Sequence, residues 1–222
     1  TRWENKGDDL PFGEEVDVTL KIDGQSWSAY YKVDTKEFGV CGRTMEYKEG
    51  AINNYTAHVE RHDIFVLLRD YCVKHNVSLC IRGESYGEGI QTSQNNPHSK
   101  VKKSLGIFSV YNIDKGGYEI KGDTHYFENF CLITGLPSVP ILEKGVLLTQ
   151  ELIDRYSVGI KKITFMDSKP VQFEGVVINY SDWERDRGIN VTINHESQIK
   201  IVTDIFNGGS FKVINKDYDS KK

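Results

Sequence analysis

The fold this sequence predicts is α+β, with antiparallel sheet and flanking helices. Three observations predict it. Short runs of alternating apolar and polar residues joined by tight turns crowd the chain before Arg43. One long amphipathic segment follows, and strand-like runs then recur to the end without any internal repeat. Three short strands so early are incompatible with a simple repeated βαβ unit.

Residues 1–15, with Asp8, Asp9, Pro11 and Gly13, read as an irregular lead-in. Val16 to Ile22 reads as a strand because Val16, Val18 and Leu20 alternate with polar neighbours. Asp23-Gly24 is a turn signal, and Trp27 to Val33 is the returning strand of a hairpin. Phe38 to Cys41 begins a third strand, closed by Gly42 and Arg43. In Tyr55 to Lys74, Val59, Ile64, Leu67, Leu68, Tyr71 and Cys72 recur at three- and four-residue intervals, which predicts one helix. Val77 to Ile81 is a buried strand that delivers Arg82, Gly83 and Glu84 at its end.

Gln91 to Lys103, polar and interrupted by Pro97, reads as a surface loop. Ile107 to Ile113 is a strand whose alternation places Phe108 and Val110 on one face, and Ile107, Ser109 and Tyr111 on the other. Asp123 to Ile133 reads as helix, and Leu136 to Leu142, with Pro137 and Pro140, as an extended connection. Thr149 to Tyr156 is a short helix capped by Thr149. Val171 to Ile178 is strand-like despite Glu174-Gly175, and Ile189–Ile193, Gln198–Thr203 and Ser210–Ile214 are further strands.

Composition narrows the function classes. Charged residues at 27% and hydrophobic ones at 38% exclude disorder and a coiled coil, and 222 residues support a real core. No apolar run approaches the ~18 residues of a membrane span. A net charge of -4 excludes a polybasic nucleic-acid coat but leaves room for a local basic groove. Cys41, Cys72, Cys80 and Cys131 lack C-x-x-C spacing and read as reduced, buried thiols, which favours a cytoplasmic setting. The chain begins at Thr1 rather than Met, from which a trimmed product or a fragment of something longer is expected. His58 and His62 share helical spacing but lack the acidic residue of a zinc motif. Lys100, Lys102 and Lys103 form a small basic patch, and residues 182–187 around Trp183 read as a solvated connection.

The residue with the most chemical promise is Lys21, in Lys21-Ile22-Asp23-Gly24. A lysine closing a half-buried strand has a fixed position, and Gly24 lets the chain turn and leaves space for a ligand beside the amine. Lowered proton affinity would make that amine a nucleophile toward phosphorus. Alone, Lys and Asp beside a hairpin turn are ordinary solvent-facing residues. Five further strings change the weighting: GVCGR at 39–43, IRGESYGEGIQ at 81–91, IFSVYNI at 107–113, FEGVVI at 173–178 and SFKVINKDY at 210–218. In this order they resemble the covalent nucleotidyltransferases, specifically the adenylyltransferase domain of ATP-dependent RNA ligases of bacterial, phage and protist type.

The resemblance implies an antiparallel-sheet nucleotidyltransferase (ATP-grasp-like ligase) catalytic domain over residues 16–218, followed by a polar tail at 219–222. It implies that Lys21 forms lysyl-AMP from ATP, with Mg²⁺ or Mn²⁺ as the metal. Asp23 then orients Lys21 or metal waters, and Gly24 shapes the turn. Glu84 accepts hydrogen bonds from the ribose, with a salt bridge to Arg82 or Arg43 as the competing role. Phe108 stacks on adenine, or simply packs in the core. Glu174 helps hold the metal, directly or through water. Lys212 neutralises the ATP phosphates and assists pyrophosphate departure. Many members carry a second lysine where this chain has Ile214, which leaves Lys216 as either its replacement or a surface residue.

Arg43 resembles an arginine near the nucleotide phosphate or RNA terminus, although Gly42 stands where relatives commonly have serine. The implied partners are an RNA 5′-phosphate and 3′-hydroxyl, with an accessory RNA-binding domain outside this chain; a monomer without membrane attachment is expected. A DNA ligase, a capping guanylyltransferase and a non-catalytic RNA-binding module are the alternatives. The stretch from Gly175 to Phe211 is longer than a minimal ligase domain needs.

Overall fold

The computed structural model describes residues 2–5, 10–92, 96–157, 173–181, 209–216 and 218. Ten strands among them form two antiparallel sheets. The first sheet contains β1 (Glu15–Lys21), β8 (Ile141–Leu147), β9 (Gly175–Tyr180) and β10 (Ser210–Ile214), in the order β10-β9-β1-β8. The second contains β2 (Gln25–Lys32), β3 (Glu37–Cys41), β4 (Glu46–Tyr47), β5 (Leu79–Tyr86), β6 (Ser104–Asn112) and β7 (Gly117–Tyr118), in the order β4-β3-β2-β5-β6-β7. Helices α1 (Asn54–Arg61), α2 (Ile64–His75) and α3 (Phe127–Thr134) lie against the second sheet, and α4 (Gln150–Ser157) against β9 and β10. The expected α+β architecture with antiparallel sheets and flanking helices is the one observed.

The hairpin expected across Asp23-Gly24 does not form. β1 pairs with β8 and β9, whereas β2 pairs with β3 and β5, so residues 22–24 carry the chain from one sheet to the other. A turn signal fixes a local change of direction; it says nothing about which strand becomes the neighbour. Being central, β1 is buried on both sides: Val16, Val18 and Leu20 on one face, Asp17 and Thr19 on the other. Asp17 is tolerable there because Lys121 Nζ and the Gly145 N–H each donate to its carboxylate at 2.9 Å.

The single helix expected over Tyr55 to Lys74 is two helices. Asp63 adopts φ 50°, a left-handed conformation that interrupts the helical ladder. α1 has its own capping box, in which Asn53 Oδ1 accepts from the Tyr55 and Thr56 N–H groups and Thr56 Oγ1 accepts from the Asn53 N–H. α2 buries Ile64, Leu68, Tyr71 and Cys72, the stripe read from the sequence.

Other boundaries also shifted. Helix α3 starts at Phe127, β5 continues through Glu84 to Tyr86, and β8 extends past the proline-containing connection to pair with β1. Within the stretch expected as surface loop, residues 97–100 form a 3₁₀ turn, and Asn96 and His98 are buried. The Thr149 cap is present: its Oγ1 accepts from the Leu152 N–H at 3.1 Å. All four cysteines are free; Cys72 and Cys131 are buried, but Cys41 and Cys80 are only half-buried. The strands read at Ile189–Ile193 and Gln198–Thr203, the segment around Trp183 and the tail at 219–222 lie outside the described residues.

Candidate active site

The seam between the two sheets is a cleft of about 630 Å³. That volume suits a nucleotide-sized ligand. From the first sheet Thr19, Lys21, Val177 and Lys212 line it; from the second come Ser26, Arg82, Glu84 and Phe108, with Arg43 and Tyr55 beside them. Six of the residues singled out in the sequence, Lys21, Gly24, Arg43, Glu84, Phe108 and Lys212, therefore share one cavity although they span most of the chain.

Lys21 is the last residue of β1, and the ladder places it opposite Gly175. This register brings Glu174 alongside, and Lys21 Nζ donates to Glu174 Oε2 in an ion pair whose side chains are 20% and 22% exposed. β10 lies close enough that a Cβ on Gly175 would sit 2.2 Å from the Val213 carbonyl oxygen. Glycine at 175 thus lets β10 deliver Lys212 opposite Val177. Gly24 has a similar task. A Cβ there would approach the Ser85 carbonyl oxygen to 2.4 Å, so its bareness admits the backbone of β5 as well as any ligand.

Glu84 faces the cleft from within β5, not from its end. Burial is the main reason its carboxyl is pushed up to about 7; Lys21 acts in the opposite direction, while Glu174 and Asp23 add to the rise. The expected competing salt bridge is not among the described ion pairs. Arg82 instead donates to Tyr118 Oη, and its guanidinium lies 5.5 Å from that ring.

Phe108 reaches the cleft through an irregularity. In the β5–β6 ladder Arg82 opposes Ser109 and Gly83 opposes Ile107, leaving Phe108 as an extra residue. This β-bulge turns Phe108 away from the face that buries Ile107 and Val110, so strict alternation fails at the position of interest. The aromatic ring lines the cleft, as adenine stacking requires.

The remaining candidates sit differently. Asp23 and Glu174 flank the cleft, Glu174 being joined to it through Lys21. Lys216 is not among the lining residues; its backbone N–H bonds to the Ser157 carbonyl at the end of α4. Lys103, from the basic patch, donates to Asn54 Oδ1. Among the described residues no group of three or more His, Cys, Asp or Glu side chains could hold a metal alone. Glu174 nevertheless fits a hydrated Mg²⁺ or Mn²⁺ that takes its other ligands from water and phosphate.

Sequence reasoning missed three residues around Asp23. Asn96, His98 and Tyr218 all hydrogen-bond to it. Asn96-Pro97 carried a usable signal, since Asn before Pro is a helix-start pattern, and Asn96 Oδ1 does cap the turn through the His98 N–H. Nothing local announced their contact with a motif more than seventy positions earlier.

The RNA ligase family profile matches residues 14–192. Among solved structures, the RNA ligase of Naegleria gruberi with PPi is 25% identical, with a TM-score of 0.65 over 93% of this chain and 51% of that one. A mutant of that ligase with ATP and Mn gives 24% identity and a TM-score of 0.64, with the same coverage of both chains. This chain therefore spans about half the length of the solved ligases it matches. No curated protein matches it significantly. With the profile covering most of the sequence and the motif residues converging on one cleft, the chain belongs to the RNA ligase family.

Proposed function

We propose that this chain carries the adenylyltransferase activity of an ATP-dependent RNA ligase, with Lys21 as the nucleophile. The observation that carries this reading is the convergence of Lys21, Glu84, Phe108 and Lys212 on one cleft, with Glu174 in contact with the Lys21 amine. Mutants of the Naegleria gruberi ligase have been solved with ATP and Mn and with AMP and Mn. That makes an adenine nucleotide and a divalent ion the natural occupants to test here.

In the first step the Lys21 ammonium gives a proton to water and the resulting amine attacks the α-phosphorus of ATP. A P–N bond forms, the bond from that phosphorus to the bridging oxygen breaks, and pyrophosphate leaves. Glu174, already accepting a hydrogen bond from the amine, holds it in line. Lys212 and Arg43 supply positive charge toward the departing phosphates. Phe108 stacks on the base, and Glu84 accepts from a ribose hydroxyl. A bound Mg²⁺ or Mn²⁺ supplies charge neutralisation at phosphate, with Glu174 as its protein ligand.

An RNA 5′-phosphate then displaces Lys21 from AMP to give a 5′–5′ capped end, and a 3′-hydroxyl attacks that end, expelling AMP and sealing the strand. The same reading assigns robust sealing to this unit working with an RNA-binding domain outside these residues, so the chain alone is expected to seal poorly.

Incubation with α-labelled ATP and a divalent ion, followed by mapping of the labelled residue, is the direct test. Label on Lys21 is expected, and none on Lys21→Ala. Absence of label with ATP under either Mg²⁺ or Mn²⁺ overturns the proposal; labelling by GTP or NAD⁺ instead points to a capping enzyme or another ligase class.

A further inference from the structure

The crossover that follows Lys21 is held on three sides. The Asp23 N–H donates to His98 Nδ1 at 2.9 Å, and the Asp23 carbonyl accepts from Asn96 Nδ2 at 3.0 Å. The Asp23 carboxylate accepts from Tyr218 Oη at 3.0 Å. Asn96 is 0% and His98 1% exposed. The two also form one unit, because Asn96 Oδ1 accepts from the His98 N–H at 2.9 Å. Asn96 Nδ2 makes a further bond, at 2.9 Å, to the carbonyl of Gln91, a residue of the cleft lining.

Buried side-chain amides and imidazoles are costly to desolvate, and their directed hydrogen bonds are correspondingly specific. Here that specificity is applied to the single peptide two residues beyond Lys21, which belongs to neither sheet. β1 fixes the Lys21 backbone from one side through its ladder to β9. On the other side Ile22 is buried and Gln25 pairs with Ser85, which leaves the Asp23 peptide between them to be fixed by these contacts.

We propose that Asn96, His98 and Tyr218 are positioning residues that act through Asp23 to hold Lys21 in line with the α-phosphorus, and that Asn96 couples this hold to the cleft rim at Gln91. The proposal rests on Lys21 being the nucleophile. His98 serves as an acceptor at Nδ1, so it works as the neutral ring with its proton on Nε2. Burial, aided by the nearby Lys21 charge, pushes its pKa down to about 4 and keeps that form in place at neutral pH.

The test is single-turnover lysyl-AMP formation by the full 222-residue chain across a range of ATP concentrations. His98→Leu keeps an apolar volume but removes the acceptor, and it is expected to lower the maximal rate about 10- to 100-fold, the usual penalty for a small misplacement of a reacting group. The ATP concentration giving half the maximal rate should stay within about threefold. His98→Gln, whose amide oxygen can accept, should recover most of the loss. Tyr218→Phe, which removes one hydroxyl and leaves the packing intact, should slow the maximal rate about 3- to 10-fold and keeps the test open should His98→Leu not fold. A wild-type maximal rate in His98→Leu or in Tyr218→Phe overturns the proposal. So does a defect confined to ATP saturation, or a His98→Gln variant no better than His98→Leu. A wild-type chain that takes no label overturns the nucleophile assignment itself.

Discussion

The two connections flanking β2 are alike in length and opposite in consequence. Residues 33–36 join β2 to β3 in one sheet, with Lys32 directly opposite Glu37 across the ladder. Asp34, Thr35 and Lys36 are exposed there, and the Lys32–Glu37 ion pair, 2.8 Å long, is open to water. Residues 22–24 join β1 to β2 across two sheets and are gripped by buried Asn96 and His98. Both carry ordinary turn residues. What separates the solvent hairpin from the crossover beside Lys21 is the set of buried contacts recruited from far along the chain.

The largest effect is expected at Gly24. Gly24→Ala places a methyl against the Ser85 carbonyl and is expected to destabilise the fold by about 1–3 kcal/mol, the range for overpacking a tight site. It should also abolish most lysyl-AMP formation, measured by label incorporation alongside thermal melting. At the other turn, Lys36 has φ 57°, and Lys36→Gly removes the strain of a side chain in the left-handed region. That change is expected to stabilise by about 1 kcal/mol or less and to leave label incorporation untouched.

Glu84 sharpens the contrast through pH. Its carboxyl, pushed up to about 7 by burial, prefers its proton in the folded state relative to the unfolded chain, whose value is near 4.5. The folded state therefore loses stability as pH rises from about 4.5 to 7, because the unfolded state releases that proton first. Glu84→Gln carries no such penalty. Its melting temperature relative to wild type should climb across that interval and level off above it; parallel pH profiles would contradict the assignment. If Glu84 meets the ribose, the same variant also needs more ATP to reach half-maximal labelling. The smallest effect is expected from Lys32→Ala, which removes an exposed pair. Melting and labelling should both match wild type within error.

Much of the site was legible because its chemistry is local. Lys21 closes an alternating strand, Glu174 interrupts an apolar one, and the order of the motif strings needs no tertiary knowledge. The Thr149 cap and the buried stripe of α2 were legible for the same reason, being decided within one or two helical turns. Phe108 was legible from its motif string, but its orientation was not: period-two alternation put it with Val110, and the bulge opposite Arg82 and Gly83 sends it elsewhere. Asn96 and His98 were hidden in a polar stretch that resembles any surface loop, since burial of a polar residue leaves no mark in its own neighbourhood.

Residue order alone set which segments favour strand or helix and which charged and aromatic side chains they carry, because propensity, capping and periodicity act over a few residues. Only the tertiary structure decided that β1 and β2 part company, that Gly175 and Gly24 allow backbones to close in, and that a buried amide and imidazole seize the peptide beyond Lys21. Those outcomes depend on strand pairing and desolvation between segments up to about two hundred positions apart, where short-range preference exerts no force.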